Sequence, residues 1–382
     1  MSRVKKLPDG WKRTALDSIC DLQAGKFVPA SEILETCNGS YYPCYGGNGL
    51  RGFVKNYSHS GTFPLIGRQG ALCGNINKAY GKFYATEHAV VATPNTNIEV
   101  EWLYYQLIHA NLNKYATGVA QPGLSVKNIK EIPFVVPPLP EQKAIAALLS
   151  TWDEAIEKTE RLIQAKERQK LGELHSRISS HKANSIIGAF AKPVVRKVDK
   201  PEESYVAVGI RSHFKGTFQR LVEDPRTVNM DSLYRVKEND LILNITFAWE
   251  GAIALVKKED EECYVSHRFP TYEIKRSKAE PCFIRQLIMS SRMKYDLSNI
   301  SPGGAGRNRV LNKKDFLKMP IWLPDLEAQK NIGAYLGAID NEIGLLKQLA
   351  EKYKTQKRGL MQKMLTGEWR VKPEIVNQYR EA

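Results

Sequence analysis

The chain has 382 residues, 42% hydrophobic and 25% charged, which is enough for two ordinary domains with buried cores. Lysine and arginine exceed aspartate and glutamate by 56 − 41 = 15, and this excess favours a polyanionic partner such as nucleic acid over a merely solvated basic surface. No apolar run is long enough to span a membrane, and residues 1–10 lack the apolar core of a secretory signal, so we expect a cytoplasmic protein.

The cysteines do not follow a metal-binding or disulfide pattern. No two of them form a C-x-x-C pair, and none has the neighbouring histidines of a zinc site. We therefore expect reduced, mostly buried thiols. The six residues are Cys20, Cys37, Cys44, Cys73, Cys263 and Cys282.

The first 136 residues predict a unit of short strands joined by tight turns. An amphipathic stretch over 16–22 opens the unit. Apolar runs at 63–66 and 89–92 lie between glycine-rich turns, which is typical of strands with sharp connections. A helix over 100–115, with its apolar residues on one face, closes the unit.

A long helix is predicted after this unit and again near the end of the chain, over 141–178 and 327–365. Each copy follows a proline-rich leader, and 329 − 142 = 187 is the shift that superimposes the two. The identities at this shift indicate a two-copy internal repeat. The identical pairs are Pro133/Pro320, Pro137/Pro324, Leu139/Leu326, Gln142/Gln329, Lys143/Lys330, Ile145/Ile332, Leu149/Leu336, Asp153/Asp340, Ile156/Ile343, Gln169/Gln356, Lys170/Lys357 and Gly172/Gly359.

Apolar residues in both helices recur at steps of three and four, which indicates packing against another helix. Each helix would be roughly 55–60 Å long at about 1.5 Å per residue. An apolar stripe of that length must be covered, and the nearest similar stripe is the other copy; an ordinary core helix is the alternative. The predicted pairing residues are Ile145, Leu149, Trp152, Ile156, Ile163, Ile332, Leu336, Ile339, Ile343, Leu346, Tyr353, Leu360 and Met364.

A second unit, over 181–319, repeats the plan of the first. Gln286-Leu287-Ile288 matches Gln106-Leu107-Ile108 at a shift of 286 − 106 = 180, so 187 − 180 = 7 residues are inserted before the longer shift resumes. Outside such matches the two units diverge. The predicted elements are strands over 205–208, 241–245 and 252–256 and a helix over 283–295.

The motifs of common enzymes are missing from the sequence. The stretch 303–307 is glycine-rich but lacks the lysine and hydroxyl of a phosphate-binding loop, so a turn is favoured. Glu87-His88 is not part of an H-E-x-x-H metal motif. Carboxylates near Asp153 share one helical face and are better explained as a solvated surface than as acid–base groups. The sequence predicts no catalytic, cofactor-binding or metal-binding residue.

Two divergent units, each followed by a repeated helix with a proline leader, resemble the specificity (S) subunit of type I restriction–modification enzymes. The resemblance covers nearly the whole chain. One departure is Ala328, which stands where the first copy has Glu141. The motifs that carry the resemblance are Q-P-G-L-S at 121–125, R-V-L-N at 309–312, I-P at 132–133, M-P at 319–320, the leaders at 137–142 and 324–329, N-D-L at 239–241, W-E-G-A at 249–252 and the tail at 357–367.

The resemblance implies a mixed α/β (α+β) fold with two target recognition domains joined by two long antiparallel coiled-coil helices, as a pseudo-twofold internal repeat. Each domain would read one half of an asymmetric bipartite site in double-stranded DNA. The implied segments are target recognition domain 1 (1–136), the first spacer helix (137–180), target recognition domain 2 (181–319), the second spacer helix (320–368) and a C-terminal tail (369–382).

The resemblance also implies a division of labour in which this chain is not an enzyme and holds no cofactor. Two methyltransferase (M) subunits would dock on it and methylate adenine with S-adenosylmethionine. Motor–nuclease (R) subunits that use ATP and Mg would complete the restriction complex, with no membrane involved. A stand-alone coiled-coil scaffold with incidental basic charge remains an alternative, and so does a fused enzyme with chemistry hidden in a diverged unit.

DNA contacts are expected from basic and amide side chains on the turn-rich loops of both units. A solvated surface charge is the alternative for each residue. In the leader, Pro140, Glu141 and Gln142 are candidates for docking a partner subunit or for internal packing. The predicted DNA-binding residues are Lys26, Asn48, Arg51, Lys55, Arg68, Gln69 and Lys78 in the first unit and Arg211, His213, Lys215, Arg220, Arg226, Arg307, Asn308 and Arg309 in the second.

Overall fold

The computed structural model describes residues 7–37, 39–70, 72–118, 122–302 and 309–380. Its backbone packs into two compact units, each described by itself below: unit 1 comprises Met1–Thr159 with Leu349–Ala382, and unit 2 comprises Glu160–Gln348. The limits of the units lie inside both long helices, so each unit contains a part of each helix. The five-segment division of the sequence stays a prediction.

Short strands dominate the first part of unit 1, as its brief apolar runs and glycine-rich turns predict. Among the described residues, the strands are β1 (Lys12–Ala15), β2 (Cys20–Ala24), β3 (Tyr42–Gly46), β4 (Gly49–Val54), β5 (His59–Ser60), β6 (Phe63–Gly67), β7 (Ile76–Ala79), β8 (Lys82–Ala85), β9 (Ala89–Pro94) and β10 (Pro133–Val136), and the helices are α1 (Val100–Ala110), α2 (Val126–Lys130) and α3 (Leu139–Leu174).

Three sheets form the framework of unit 1 in the part of the chain that the structure describes. An antiparallel sheet has the strand order β2-β9-β6-β7. A second sheet has the order β4-β3-β8-β5, and in it β3 runs parallel to β8. The remaining pair is β1 with β10. Trp102, Leu103 and Leu107 of α1 pack into one core with Ile66 and Val90 of the antiparallel sheet, which fixes this helix against the sheet.

The rest of the chain repeats this order of elements. Helix α8 and the end of α7 belong to unit 1, and the other elements belong to unit 2. Among the described residues, the strands are β11 (Ser185–Ile186), β12 (Ala191–Val194), β13 (Lys197–Asp199), β14 (Tyr205–Ile210), β15 (Thr217–Val222), β16 (Ser232–Arg235), β17 (Leu241–Leu243), β18 (Ile253–Leu255), β19 (Tyr264–Val265), β20 (Thr271–Ile274) and β21 (Pro320–Ile321), and the helices are α4 (Pro281–Ile288), α5 (Ser291–Asn299), α6 (Lys313–Lys318), α7 (Leu326–Met364) and α8 (Pro373–Asn377).

The sheets of unit 2 correspond to those of unit 1. The order β12-β20-β17-β18 repeats the antiparallel sheet, and β11 pairs with β21. The other sheet has the order β13-β16-β19-β14-β15, in which β14 runs parallel to β19. Phe283, Ile284 and Leu287 of α4 pack into the core with Leu241 and Ile253. Each unit is therefore a mixed α/β body with its own core.

A buried glutamine begins each long helix in the same way. Gln142 Nε2 donates to Pro137 O and Asn97 O, and its Oε1 accepts from Glu99 N. In unit 2, Gln329 Nε2 donates to the carbonyls of Pro324 and Lys278, and its Oε1 accepts from the Glu280 amide. The repeated glutamine thus ties the leader of each long helix to the segment that precedes α1 or α4.

Within each unit the long helices run antiparallel, which confirms the predicted architecture. In unit 1, Asp153 pairs with Lys357 and the Trp152 ring lies 5.6 Å from the Tyr353 ring. The equivalent pair in unit 2 is Asp340 with Lys170. Lys166 in the same unit pairs with Glu342 at 2.8 Å, so residue numbers rise in one helix as they fall in the other, as antiparallel neighbours require.

The predicted helix-pairing stripe faces inward throughout. Ile145, Leu149 and Met364 belong to the same core as the globular part of unit 1. Leu336, Ile339 and Ile343 likewise belong to the core of the globular part of unit 2, so the assignment of the stripe to helix pairing stays a prediction. The stripe contains buried Ile145, Leu149, Ile163, Leu336, Ile339, Ile343 and Met364 and partly buried Trp152, Ile156, Ile332, Leu346, Tyr353 and Leu360.

Three predicted elements differ from the structure. The stretch 16–22 is a 3-10 turn followed by β2 rather than one amphipathic segment. Helix α1 ends at Ala110 because Asn111 adopts a left-handed conformation with φ 48°. The predicted helix over 283–295 is split into α4 and α5, where Ser290 caps the second helix through the Met293 amide.

The cysteines also differ in part from the expectation of mostly buried thiols. All six are free, but only Cys20, Cys44 and Cys73 are buried. Cys37 and Cys282 are exposed.

Candidate nucleic-acid interface

The turn between β3 and β4, Gly46–Gly49, packs directly on the end of β6. A β-carbon on Gly67 would lie 2.1 Å from the Gly47 carbonyl oxygen, so no larger residue fits there. Gly49 has φ +102°, which favours glycine. Asn48 is exposed at the turn. We call this turn the unit-1 hairpin tip.

Arg68, which follows β6, joins three segments beside the unit-1 hairpin tip. Its amide donates to His88 O at 2.9 Å, and its carbonyl accepts from Leu124 N at 2.7 Å. The guanidinium donates to Leu124 O and Glu87 O, each at 3.4 Å. The loops after β6 and β8 and the segment before α2 therefore meet at one half-buried arginine.

Unit 2 repeats this backbone junction with different side chains. Ile245 N donates to Arg268 O at 3.1 Å, and Leu311 N donates to Ile245 O at 2.9 Å. Leu311 and Leu124 differ by 311 − 124 = 187, the shift of the long helices. Ile245 thus occupies the position of Arg68, and Arg268 that of His88.

The turn between β14 and β15 forms the unit-2 hairpin tip, residues 211–216. His213 and Phe214 adopt left-handed conformations, with φ 61° and 58°. Their amides donate to Glu250 O at 2.8 Å and Gly251 O at 2.9 Å. Two successive non-glycine residues in this region cost about 1–3 kcal/mol each, and such strain concentrates at functional sites.

Basic and aromatic side chains surround the unit-2 hairpin tip. The Arg211 guanidinium lies 5.0 Å from the Phe218 ring centroid, and that of Arg309 lies 5.1 Å from the Trp249 ring centroid. His213 and Lys215 are exposed at the turn. Arginines held by rings in this way keep their charge available to a phosphate or a base edge.

The predicted DNA-binding residues do not all lie at the hairpin tips. Lys26 hydrogen-bonds through its amide to Ala85 O at the end of β8, and Gln69 bridges to Gly123 beside Arg68, so both lie near the unit-1 tip. Arg51 is exposed near the start of β4, whereas Lys55 follows the far end of this strand.

Three other predicted residues lie away from the tips or are already paired. Lys78 on β7 is paired with Glu101 and lies 4.6 Å from the Tyr104 ring centroid. Arg220 is exposed toward the far end of β15. Arg226 pairs with Asp224 at 2.9 Å. Arg307 and Asn308 lie outside the described residues, and DNA binding by every member of the set stays a prediction.

The leader residues proposed for docking are used inside unit 1. Glu141 is 1% exposed and accepts a hydrogen bond from Trp11 Nε1 at 3.0 Å. Its carboxylate also binds the Arg370 guanidinium through two hydrogen bonds. Gln142 is 1% exposed, and Pro140 is partly exposed. A partner subunit would reach the first two side chains only if these contacts opened, and docking stays a prediction.

Sequence reasoning missed the segments that follow β8 and β19. Glu87 and His88 were considered only as a failed metal motif, and His267 and Arg268 were not singled out. Their signal in the sequence is weak, because a short polar segment after a strand is common. Hydrogen bonds from distant residues identify them as part of the junction in each unit.

No group of three or more His, Cys, Asp or Glu side chains suited to a metal ion occurs within the described parts of the chain. Across the same residues, no helix combines the length and apolar character needed to cross a membrane.

Comparison with known families identifies the class of this protein. A family model described as the type I restriction modification DNA specificity domain matches residues 8–167 and 201–354. These two matches cover more than half of the chain, and the chain belongs to this family.

Individual relatives agree with this class. The EcoprrI type I restriction enzyme specificity subunit of Escherichia coli is 48% identical over 143 residues, which are 37% of this chain and only 36% of that protein. The MjaVIII type I restriction enzyme specificity subunit of Methanocaldococcus jannaschii is 25% identical over an alignment that covers 96% of this chain and 95% of that protein. The crystal structure of the type I restriction–modification S subunit from M. genitalium has a similar fold, with a TM-score of 0.66, 14% identity and coverage of 96% of this chain and 98% of that one.

Proposed function

We propose that this chain is the sequence-specific DNA-recognition subunit of a type I restriction–modification complex and that it reads an asymmetric bipartite site. One observation carries the proposal. Each family match lies mainly within one unit, and each unit presents the same backbone junction with different side chains. Since side chains at base edges read the sequence, units that differ in this way read different half-sites.

Charge supports DNA as the partner. The chain carries a net charge of +15, and exposed basic residues lie near the unit-1 hairpin tip and at the unit-2 hairpin tip. Contacts between such residues and phosphates release counterions, so binding weakens steeply as salt rises. The rings beside Arg211 and Arg309 hold two of these charges in place.

In this proposal the chain chooses the site and other subunits perform the chemistry in the cytoplasm. Two methyltransferase subunits, which use S-adenosylmethionine, methylate adenine in each half-site, and motor–nuclease subunits use ATP and Mg to cut. The printed names of the relatives, specificity subunits of type I restriction enzymes, support this division.

Expression of the chain with its methyltransferase, followed by mapping of methylated adenines across the host genome, tests the proposal. The expected result is one motif of two unlike half-sites separated by a fixed gap. Methylation without sequence preference would instead favour a scaffold. Methylation of DNA by the purified chain with S-adenosylmethionine alone would favour a fused enzyme.

A further inference from the structure

Three buried polar atoms around the unit-1 hairpin tip have no hydrogen-bond partner among the described residues. They are Asn77 Nδ2, Glu87 Oε2 and His88 Nδ1. Buried polar groups in native proteins are nearly always paired, and unpaired ones need an explanation such as a ligand that completes them. Three in one region point to a site that binds a polar partner.

Contacts place all three residues beside the same turn. A β-carbon on Gly49 would lie 3.0 Å from Asn77 Oδ1, and one on Gly47 would lie 3.0 Å from His88 O. Glu87 provides a carbonyl to Arg68 at 3.4 Å. The residues that carry the unpaired atoms therefore lie beside the glycine turn, where the lack of side chains lets a ligand approach closely.

Only one of the two carboxylate oxygens of Glu87 has a contact among the described residues. Oε1 lies 3.0 Å from His88 Nε2, while Oε2 has no partner. The Glu87 side chain is 31% exposed although Oε2 itself is buried, so rotation of the carboxylate is needed to present this oxygen to a ligand arriving from solvent. An ionised carboxylate only accepts hydrogen bonds, and its free oxygen therefore calls for a donor.

A carboxylate repels phosphates, so a carboxylate in a surface that binds DNA needs another role, such as recognition of a base. Burial raises the pKa of the Cys44 thiol to about 11, with Arg51 lowering it and Glu87 raising it, so both charges lie near this thiol. Arg51 and Arg68 suit a polyanion, whereas Glu87 repels one. In the major groove, the donors that a glutamate can meet are the exocyclic amino groups of cytosine and adenine.

The segment of unit 2 that matches residues 87–88 carries basic side chains instead of a carboxylate. The backbone junction aligns His88 with Arg268, which places His267 where unit 1 has Glu87. His267 and Arg268 are both exposed. A guanidinium donates to guanine O6 and N7, so the segment that carries an acceptor, Glu87, in unit 1 carries a donor, Arg268, one position further along in unit 2.

We propose that residues 87–88 and 267–268, the second and third positions after β8 and β19, determine base specificity, with Glu87 accepting from an exocyclic amino group in one half-site and Arg268 donating to guanine in the other. This inference rests on the proposed function and names the residues that carry it. Asn77 and His88 complete the Glu87 site by pairing with the same base pair or its neighbour.

Selection from a randomised DNA duplex library by the chain in complex with its methyltransferase, followed by sequencing, tests the proposal. The wild-type complex is expected to enrich cytosine or adenine at one position of one half-site, and the wild-type motif itself tells which base is read. Glu87→Ala should lower that enrichment roughly tenfold and leave every other position unchanged. Arg268→Ala should do the same at one guanine of the other half-site.

Matched controls are Glu35→Ala and Arg276→Ala, which remove exposed side chains of the same types from the same units and should leave the motif intact. The proposal is overturned if Glu87→Ala retains the full motif, or if it loses all positions of its half-site together, because that result marks a structural role. Glu87→Gln keeps the shape of the side chain and is expected to retain the fold and to prefer adenine, because a glutamine amide pairs with adenine N6 and N7. A wild-type complex that enriches no bipartite motif would refute the proposed function itself.

Discussion

Glu141 joins both ends of unit 1 to the start of α3. Its buried carboxylate accepts from Trp11, which precedes β1, and binds Arg370, which lies beyond α7. In unit 2 the equivalent position is Ala328, whose amide is capped by Asp325 Oδ1 at 2.8 Å. The second copy therefore lacks the Pro-Glu-Gln sequence of residues 140–142 for a local reason. Unit 2 starts its long helix with a capping aspartate, Asp325, instead of a buried glutamate.

Replacing Arg370 by alanine is expected to destabilise unit 1 by about 2 kcal/mol, because it leaves Glu141 buried without its cation. For a unit of this size the melting temperature should fall by roughly 4–8 °C. Scanning calorimetry measures the change. Arg380→Ala, which removes an exposed arginine from the same tail, serves as the control, and equal melting temperatures for the two variants would contradict the assigned role.

The backbone of Arg68 forms the junction, and its side chain is predicted to bind DNA. Substitution of the side chain therefore tests the recognition role separately. Its guanidinium holds two carbonyls, while the backbone hydrogen bonds of the junction do not depend on the side chain. Arg68→Ala is expected to weaken binding to the first half-site roughly tenfold. Binding to duplexes that carry one or the other mutated half-site measures this effect, and equal losses for both half-sites would refute it.

At the scale of elements, one ion pair occurs twice in the paired helices. Asp153–Lys357 and Asp340–Lys170 are related by the shift of 187, and both have N···O distances of 2.5 Å. Each aspartate also accepts from the globular part of its own unit, through Tyr105 in unit 1 and Gln286 in unit 2. The pair therefore sets the register of the helices and ties them to the neighbouring α/β body. These aspartates are not the merely solvated carboxylates that the sequence indicated.

A double-mutant cycle on Asp153 and Lys357 is expected to give a coupling energy of about 1 kcal/mol, because Lys357 is only 15% exposed. Hydrogen exchange of the α3 amides in unit 1 supplies the opening free energy of each variant. The same cycle on Asp340 and Lys170 should give a similar value in unit 2. A cycle on the exposed pair Glu154 and Lys158 is the control and should show little coupling. No coupling at the repeated pairs would mean that they do not set the register.

At the scale of the whole molecule, the proposed function assigns the paired helices the task of separating two half-sites. Each helix contributes residues to both units. Both helices are continuous, over Leu139–Leu174 and Leu326–Met364. A change in helix length that preserves the heptad phase should therefore alter the gap in the motif without altering either half-site.

Inserting one heptad after Ile163 and one after Ala350 should lengthen the pair by roughly 10 Å, at about 1.5 Å per residue. This corresponds to roughly three further base pairs at about 3.4 Å each. Mapping of methylated adenines reads the gap. Insertion into only one helix is the control, since it shifts the register and should abolish methylation. A gap that stays the same in an active double insertion would refute the spacing role.

The internal repeat, the two long helices and the absence of familiar enzyme motifs were all readable in the chain. They depend on features that are local or periodic, such as the leaders before Gln142 and Gln329 and the spacing of apolar residues. Identical residues at a constant shift need no knowledge of contacts. The positions of β6, β9, β14, β17 and β18 were also predictable, because short apolar runs mark them, whereas the other strands of both units were not predicted.

Only the tertiary structure decided which side chains meet at the candidate interface. Arg68 contacts the loops of Glu87 and Leu124, which are separated from it by 19 and 56 positions. Neither partner is marked by a periodic pattern. Pairing of Lys78 with Glu101, and burial of Glu141, likewise depend on contacts across the fold. Sequence by itself determines repeats and periodic helices because they are encoded by near neighbours, whereas a recognition site is assembled from loops that packing alone brings together.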